Sequence, residues 1–555
     1  MSLAACILIT LYVQDELSYD QHWQNADRIY RVNLITKRAG RPPQAYPAGS
    51  MLMLPALEQF FPDEIELGSR LRQTSLQEIE VDNVLYQDPI SFAGEDIIKL
   101  FQFEVLGGNL DSVFLDVNSI ALSEESAVKY FGDSDPIGAT VSAGFAGGDP
   151  KEYRVVAVYR LAAGNTVLSL PNLAMYEELK IPGEGGWLLI SGQTFVRFRA
   201  GFNLESIRSR LPELLDRHAS LPASRMEAGQ TPSDVLGLQL QVISDIYFNP
   251  IAFFNYDQVS GNKPTALMFM AISVLVVLIG CVNFVVLTTA MSAQRGLEVA
   301  MRKMFGAQAG QLRRQYLGES LLVTLAAFLL ALLSVELLVP VFEGMVDKNL
   351  QIPYLEAKTW LYLLALFAVV GLLGGMYPAM VLSNATPGRA LSTNHSSGPA
   401  GAFRLRGALL IFQFAVSIIL IIATAVVYGQ LSYTSNLDPG FNPENLLIVE
   451  GFIPVEISSK QVFKQEVLKL ADVSHAGFSA GKPNSGRGII LDYSAGDSTS
   501  ANRTLAISTL FIGYGFFQTY QIPLLAGRYP DQARDPGQRL LFLQAATGEQ
   551  SEGLA

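Results

Sequence analysis

Hydrophobic residues in this chain gather into long unbroken runs separated by stretches of mixed polarity. Four runs are long enough to cross a bilayer: about Leu267 to Leu287, which holds no charge, Leu321 to Phe342, Trp360 to Leu382, and Leu409 to Tyr428. Each approaches the ~20 residues that a helix rising ~1.5 Å per residue needs to span the hydrocarbon core. The second run contains Glu336 and is flanked by Glu319, and a lone carboxylate near a helix end can face a partner helix or the interface. A fifth run, Leu3 to Val13, is shorter and lacks the basic flank of a signal peptide. It reads as the outer part of a membrane helix whose start is missing, with a signal-like or interfacial segment as the alternative.

Between the runs the pattern changes. Arg28 to Thr36 (RIYRVNLIT) and Tyr153 to Tyr159 (YRVVAVY) are rich in Val, Ile and Tyr and predict strands. Ser123 to Phe131 (SEESAVKYF) opens on a capping serine, carries Glu124 and Glu125 in its first turn, and is followed by Gly132, so it predicts a helix. Leu204 to Asp216 has an apolar period interrupted by Pro212, which weakens its helical pattern. After the turn at Asp438, Pro439 and Gly440, Leu446 to Glu450 (LLIVE) predicts a strand and Ser459 to Lys469 a helix. Residues 388–402 (GRALSTNHSSGPAGA) form a breaker-rich hinge between two membrane units. No short-period repeat is visible, but a membrane helix leads into an outer domain twice, near Val13 and near Tyr428.

The connections orient the helices. Residues 290–314 hold Arg295, Arg302, Lys303, Arg313 and Arg314 against Glu298, and residues 383–406 hold Arg389, Arg404 and Arg406 with no acid, so both belong in the cytoplasm. Residues 343–358 carry Glu343, Asp347 and Glu356 against Lys348 and Lys358, which fits the opposite side. The expected organisation is a multi-pass α-helical membrane protein with mixed α/β outer domains. Its parts are a truncated first helix at 1–13, a first outer domain at 14–264, and membrane helices at 265–289, 315–342, 360–382 and 407–428. The connections are a basic loop at 290–314, a short outer loop at 343–359 and a linker at 383–406, and a cut-short second outer domain follows at 429–555.

Composition sharpens this reading. The 555 residues are 50% hydrophobic and only 16% charged, where a soluble domain carries roughly 25%. The net charge of −12 argues against a nucleic-acid binder, whose affinity rests on a basic surface. Cys6 and Cys281 both lie inside apolar runs, so neither a disulfide framework nor a CxxC pair is supported. His22, His218, His395 and His475 have no metal-ligand spacing, and no phosphate-binding loop or nucleophile elbow occurs. No enzyme activity and no cofactor are therefore expected of this chain, and any energy source must be a partner.

Several strings resemble one family, the FtsX-like or MacB-like permeases of ABC transporters, which act as mechanical transmitters rather than conventional pores. Tyr12 to Asp20 (YVQDELSYD) and Asn25 to Val32 (NADRIYRV) resemble the exit of its first helix and the opening strand of its periplasmic core domain. Leu122, Ser123, Ala127, Tyr130 to Gly132 and Pro136 to Gly138 resemble a helix and turn of the same domain. Gln294 to Ala307 (QRGLEVAMRKMFGA) is the most specific match, resembling the family's cytoplasmic loop, and Gln315, Glu319 and Ser320 follow it. Gly375 to Ala379 with Pro387, Ala390 and Leu391, then Phe403 to Arg406 with Phe412 to Phe414 and Ser417, and finally Pro523 to Arg528 extend the resemblance over nearly the whole chain. The family plan has eight membrane helices in two related halves, so this chain would supply a truncated first helix and the next four.

The resemblance implies a permease subunit in the bacterial inner membrane, with large periplasmic domains, that couples ATP hydrolysis on a separate cytoplasmic ABC ATPase to periplasmic conformational change, in export or efflux. The alternative within the same resemblance is a non-transporting transmitter that activates a periplasmic enzyme or signalling partner. Implied partners are the ATPase, a second permease copy or homologous subunit, and, as in related tripartite pumps, a periplasmic adaptor with an outer-membrane channel; nucleic acid is not among them. The implied ATPase-coupling residues are Arg295, Glu298, Val299, Arg302, Lys303, Phe305 and Gly306. Glu298 and Arg302 share a helix face, Leu297, Val299, Met301 and Phe305 would form the apolar docking side of a short amphipathic helix, and Gly306 would end it. Glu319, which Arg313 or Arg314 could pair, together with Gln413 and Pro378, is expected to have a structural role among the membrane helices.

Overall fold

The computed structural model describes residues 1–37, 42–73, 77–144, 150–161, 164–176, 186–222, 226, 228–251, 259–350, 352–383, 400–437, 439–449, 457–481, 483, 489–495, 503–531 and 534–535. The chain divides into a helical unit (Met1–His22, Gly164–Thr166 and Val259–Asn436) and an α/β unit (Trp23–Ala163, Val167–Gln258 and Leu437–Ala555).

The helical unit contains α1 (Ser2–Leu17), α5 (Lys263–Met304), α6 (Ala309–Val346), α7 (Ala357–Ser383) and α8 (Ala400–Ser435). Four of these carry segments long and apolar enough to cross a membrane: Lys263–Thr289, Ala309–Val346, Ala357–Met376 and Gly407–Ser435. Ala4, Ile7 and Leu8 of α1 recur at helical spacing and meet Phe328, Ala331 and Val335 of α6 and Leu363 of α7 in one buried cluster. Polar side chains join α1 to α7 and to α5: the Tyr362 hydroxyl donates to Thr10 Oγ1 at 3.0 Å, and Ser273 Oγ lies 3.1 Å from Cys6 Sγ. In lipid, where apolar burial does not favour one helix contact over another, such bonds help to select the register. Gly374 of α7 allows close approach, since a Cβ there would sit 2.4 Å from the Phe284 ring of α5.

In the α/β unit, strands β1 (Ile29–Thr36), β2 (Gln44–Tyr46), β3 (Ile65–Gln73), β4 (Gln77–Val81), β5 (Val84–Asp88), β6 (Ser91–Ala93) and β7 (Phe103–Gly108) precede β8 (Ser119–Ser123), β9 (Thr140–Gly144), β10 (Lys151–Leu161), β11 (Asn172–Met175), β12 (Gln193–Phe198) and β13 (Leu236–Val242). Among the described residues they form one sheet in the order β13-β1-β12-β3-β6-β11-β8-β10-β9-β4-β5, with β2 beside β1 and β7 beside β10. The pairings β8–β10 and β6–β11 are parallel, and the remainder are antiparallel. Near β1, helices α2 (Met53–Phe60) and α4 (Leu204–His218) cover a core of Val32, Leu34, Leu57, Phe61, Leu214 and Leu215. Toward β4, Ile79, Ile120, Leu122 and Tyr153 pack with Tyr130 of α3 (Glu124–Phe131).

The caps of α3 are those its sequence predicts: Ser123 accepts from the Ser126 amide, and Gly132 has φ +60°. Pro212 does not interrupt α4. A mid-helix proline costs about 3 kcal/mol, whereas Ile207, Leu211, Leu214 and Leu215 are all buried and each fully buried apolar side chain returns roughly 1.5–3 kcal/mol. Leu446 to Val449 form no strand: Leu447 and Val449 are exposed, and no described strand pairs with them, so β-propensity alone does not suffice. Glu450 and most of the 388–402 hinge lie outside the described residues. Further along, β14 (Ile489–Ala495) and β15 (Arg503–Thr509) pair antiparallel, and α9 (Ile457–Val467) and α10 (Phe516–Tyr520) are helical. Arg528 grips Asp535 bidentately at 2.5 and 2.6 Å.

Candidate functional site

The residues expected to form a coupling loop at 290–314 are mostly helix. α5 continues without interruption from the membrane span to Met304, and α6 begins at Ala309, so only a tight elbow separates them. The short, separate amphipathic helix is therefore corrected to the end of a 42-residue helix. The reason is local: no proline follows Thr289 before the elbow, and Glu298 Oε1 pairs with Arg302 Nη2 at 2.6 Å one turn on, so nothing stops propagation. Gly306, with φ +96°, then turns the chain; its amide donates to Lys303 O and that of Ala307 to Arg302 O, both at 3.0 Å, which satisfies the last carbonyls of α5. On the far side, Gln311 Oε1 accepts from the Gln308 amide at 3.2 Å, capping α6.

A polar ladder crosses the elbow. Arg302 Nη1 donates to Gln315 Oε1 at 2.9 Å, and Gln315 Nε2 donates to Glu319 Oε1 at 3.3 Å, so Glu298, Arg302, Gln315 and Glu319 tie the end of α5 to the start of α6. Beneath the ladder, Val299 packs with Leu312 and Tyr316 of α6 and Ala379 of α7. Val299 is 0% exposed, so it cannot be a docking residue. The apolar side offered outward consists of Met301 (48% exposed), Met304 (56%) and Phe305 (90%). Met304, which the expected docking side of Leu297, Val299, Met301 and Phe305 lacks, is exposed one turn after Met301.

Arg295 lies in α5, and its side chain and that of Leu297 fall outside the described residues, as does that of Pro378 in α7. Lys303 is half-buried on the last turn of α5. Glu319, half-buried, accepts from Gln315 Nε2. Gln413 sits in α8 with its Oε1 buried and without a hydrogen-bond partner among the described residues. Glu336 is exposed and accepts from the Tyr354 hydroxyl, while Trp360 Nε1 donates to Tyr354 O at 2.8 Å. Among the described residues, no group of His, Cys, Asp or Glu is arranged to hold a metal.

Residues 1–214 match the family of MacB-like periplasmic core domains, and residues 270–387 match the FtsX-like permease C-terminal family. The chain is an FtsX-like permease with a MacB-like periplasmic core domain. The elbow lies inside the second match, and the sheet from β1 to β12 inside the first. A permease domain from Porphyromonas gingivalis is 23% identical, covering 40% of this permease and 92% of that chain, with a TM-score of 0.34. The periplasmic region of MacB from Actinobacillus actinomycetemcomitans is 16% identical, covering 40% of this permease and 93% of that chain, with a TM-score of 0.27. The extracellular domain of the noncanonic ABC-type transporter YknZ from Gram-positive bacteria is 14% identical, covering 38% and 99%, with a TM-score of 0.27. No curated protein matches the permease significantly. Four candidate spans and the two family matches make it a multi-pass membrane protein of this permease family.

Proposed function

We propose that the permease couples ATP hydrolysis on a separate cytoplasmic ATPase to movement outside the bacterial inner membrane, in the service of export. The observation that carries this reading is the elbow: an exposed apolar tip of Met301, Met304 and Phe305 on a doubly capped turn between two membrane helices. Covering such a tip gains roughly 1.5–3 kcal/mol for each side chain fully buried, whereas a solvent-exposed ion pair at the rim contributes less than ~1 kcal/mol. The apolar tip supplies affinity, and the charges around it supply orientation. The Lys and Arg excess of residues 290–314 supports the cytoplasmic placement.

A rigid elbow transmits because its parts cannot yield separately. The ladder and the Val299 core fix the angle between α5 and α6, so displacement of the tip moves both helices together. The partners are the ATPase and a second permease copy, with an adaptor beyond the membrane. The test is ATP-driven cargo release from vesicles holding the permease and its ATPase. Export predicts release that a Phe305→Glu variant abolishes; ATP hydrolysis without release would instead favour the non-transporting transmitter.

A further inference from the structure

The end of α6 opposite the elbow is held by buried charge. After α6 closes on Asp347, which has φ +52°, Lys348 turns its ammonium toward the exit of α1. There it meets Asp15 Oδ2 at 2.6 Å and Glu16 Oε1 at 2.5 Å, and it lies 5.4 and 5.3 Å from the ring centres of Tyr12 and Tyr19, within cation–π range. All three charged side chains are largely buried.

Asp15 has a second tenant. Its Oδ1 accepts from Asn165 Nδ2 at 2.5 Å, and the same amide reaches Ser18 Oγ at 2.9 Å. The bonds continue on both sides of Asn165: its carbonyl accepts from the Asp20 amide at 2.8 Å, and Thr166 Oγ1 donates to Asp20 Oδ1 at 2.5 Å. Gly164 is required by the same arrangement, because a Cβ there would fall 2.5 Å from His22 Nδ1. Residues 164–166 thus belong to the helical unit, although the chain on either side of them belongs to the α/β unit.

We infer that Asp15, shared between Lys348 and Asn165, is the output joint of the permease: α6 carries displacement from the elbow to Lys348, and the Asp15 carboxylate passes it to the 164–166 segment, which runs by covalent chain into β10. This rests on the proposed coupling function. At ~1.5 Å per residue, the 38-residue α6, which continues through Pro340, spans about 57 Å between the elbow and the held cation. A helix held by hydrogen bonds and ion pairs at both ends is the kind of network that carries coupling between distant sites. Lys348, Asp15 and Asn165 act here as positioning residues.

The test has two arms on the full chain in nanodiscs. In the first, without nucleotide or ATPase, amide exchange is read at Asp20, whose N–H is bonded to Asn165 O. Lys348→Met should speed that exchange roughly tenfold, as expected when one partner of a largely buried pair is removed. Asn165→Ala should do the same, while Lys348→Arg stays near wild type and β10 amides are unchanged in every variant. Unaltered exchange at Asp20 in both Lys348→Met and Asn165→Ala would overturn the joint. In the second arm, nitroxides at Val128 and Leu355 report the ATP-dependent distance change in the complex with the ATPase. The joint predicts that Lys348→Met and Asn165→Ala keep ATP hydrolysis but lose the distance change, and persistence of the change would overturn it. Absence of hydrolysis in the wild type would strike the proposed function alone, since the first arm reads the joint without it.

Discussion

At its start, α6 meets solvent through an elbow whose apolar side chains, Met301, Met304 and Phe305, stand uncovered and whose ion pair, Glu298 with Arg302, is half in water. At its end the arrangement is reversed: Lys348 is enclosed by two carboxylates and two tyrosine rings of the same chain. Burial alone would push the Lys348 ammonium down, but its hydrogen bonds and charge interactions with Asp15 and Glu16 outweigh this and leave it raised. The two ends thus differ in what satisfies them: charge pairing within the chain at one, uncovered apolar side chains at the other. Covering the apolar side chains of the elbow would release free energy, which the proposed ATPase docking would use.

The largest expected effect concerns what fixes the elbow from beneath. Val299→Asp places an unpaired carboxylate in the cluster of Leu312, Tyr316 and Ala379, and should cost at least ~3 kcal/mol in unfolding measured in detergent. If Val299→Asp unfolds like wild type, that side of the elbow is open and the contrast between the two ends disappears. A smaller effect is expected on the surface. Arg302→Ala removes the pair to Glu298 and the bond to Gln315, yet these are half-exposed and should cost only ~0.2–0.5 kcal/mol in the same assay. A loss as large as that of Val299→Asp would mean that the ladder, not the apolar cluster, sets the elbow.

The smallest effect on the whole fold comes from a pair outside both ends, and it calibrates how far local geometry alone shifts an ionisation. Hydrogen bonds from Arg528, then from the Asp531 amide, pull the Asp535 carboxyl down to about 2. A depressed carboxyl contributes stability above its unfolded value of roughly 3.9 and loses it as pH falls through the folded value. A carboxyl titration by NMR should place Asp535 near 2, and Arg528→Ala should return it toward the ordinary range; an unchanged midpoint in Arg528→Ala would show that the pairing is not responsible.

Much of this architecture could be read from local pattern. The four apolar runs, the strands at Arg28 to Thr36 and Tyr153 to Tyr159, and the capped helix after Ser123 are all signals within a few residues, and the structure contains them. Pro212 misled because a proline is visible in sequence, whereas the sheet face that α4 covers is not. Val299 was placed on the wrong side because the end of α5 was read as an independent helix facing a partner, when its inner face was already taken by α6 and α7. Lys348 gave a weak hint as a cation in an acidic loop, but Asp15 lies 333 positions away, and no local pattern joins them. Asn165 carried no hint at all: its role depends on a carboxylate 150 positions earlier.

If an ATPase docks on the apolar tip of Met301, Met304 and Phe305, its activity should travel with the permease. The most direct measurement is ATP hydrolysis by the permease purified from its own membranes, wild type against Phe305→Glu, with unfolding checked in parallel because Phe305 is 90% exposed and its replacement should leave stability unchanged. Hydrolysis should accompany the wild-type permease and be lost from the equally stable variant. Hydrolysis that follows both forms equally, or neither, would contradict it.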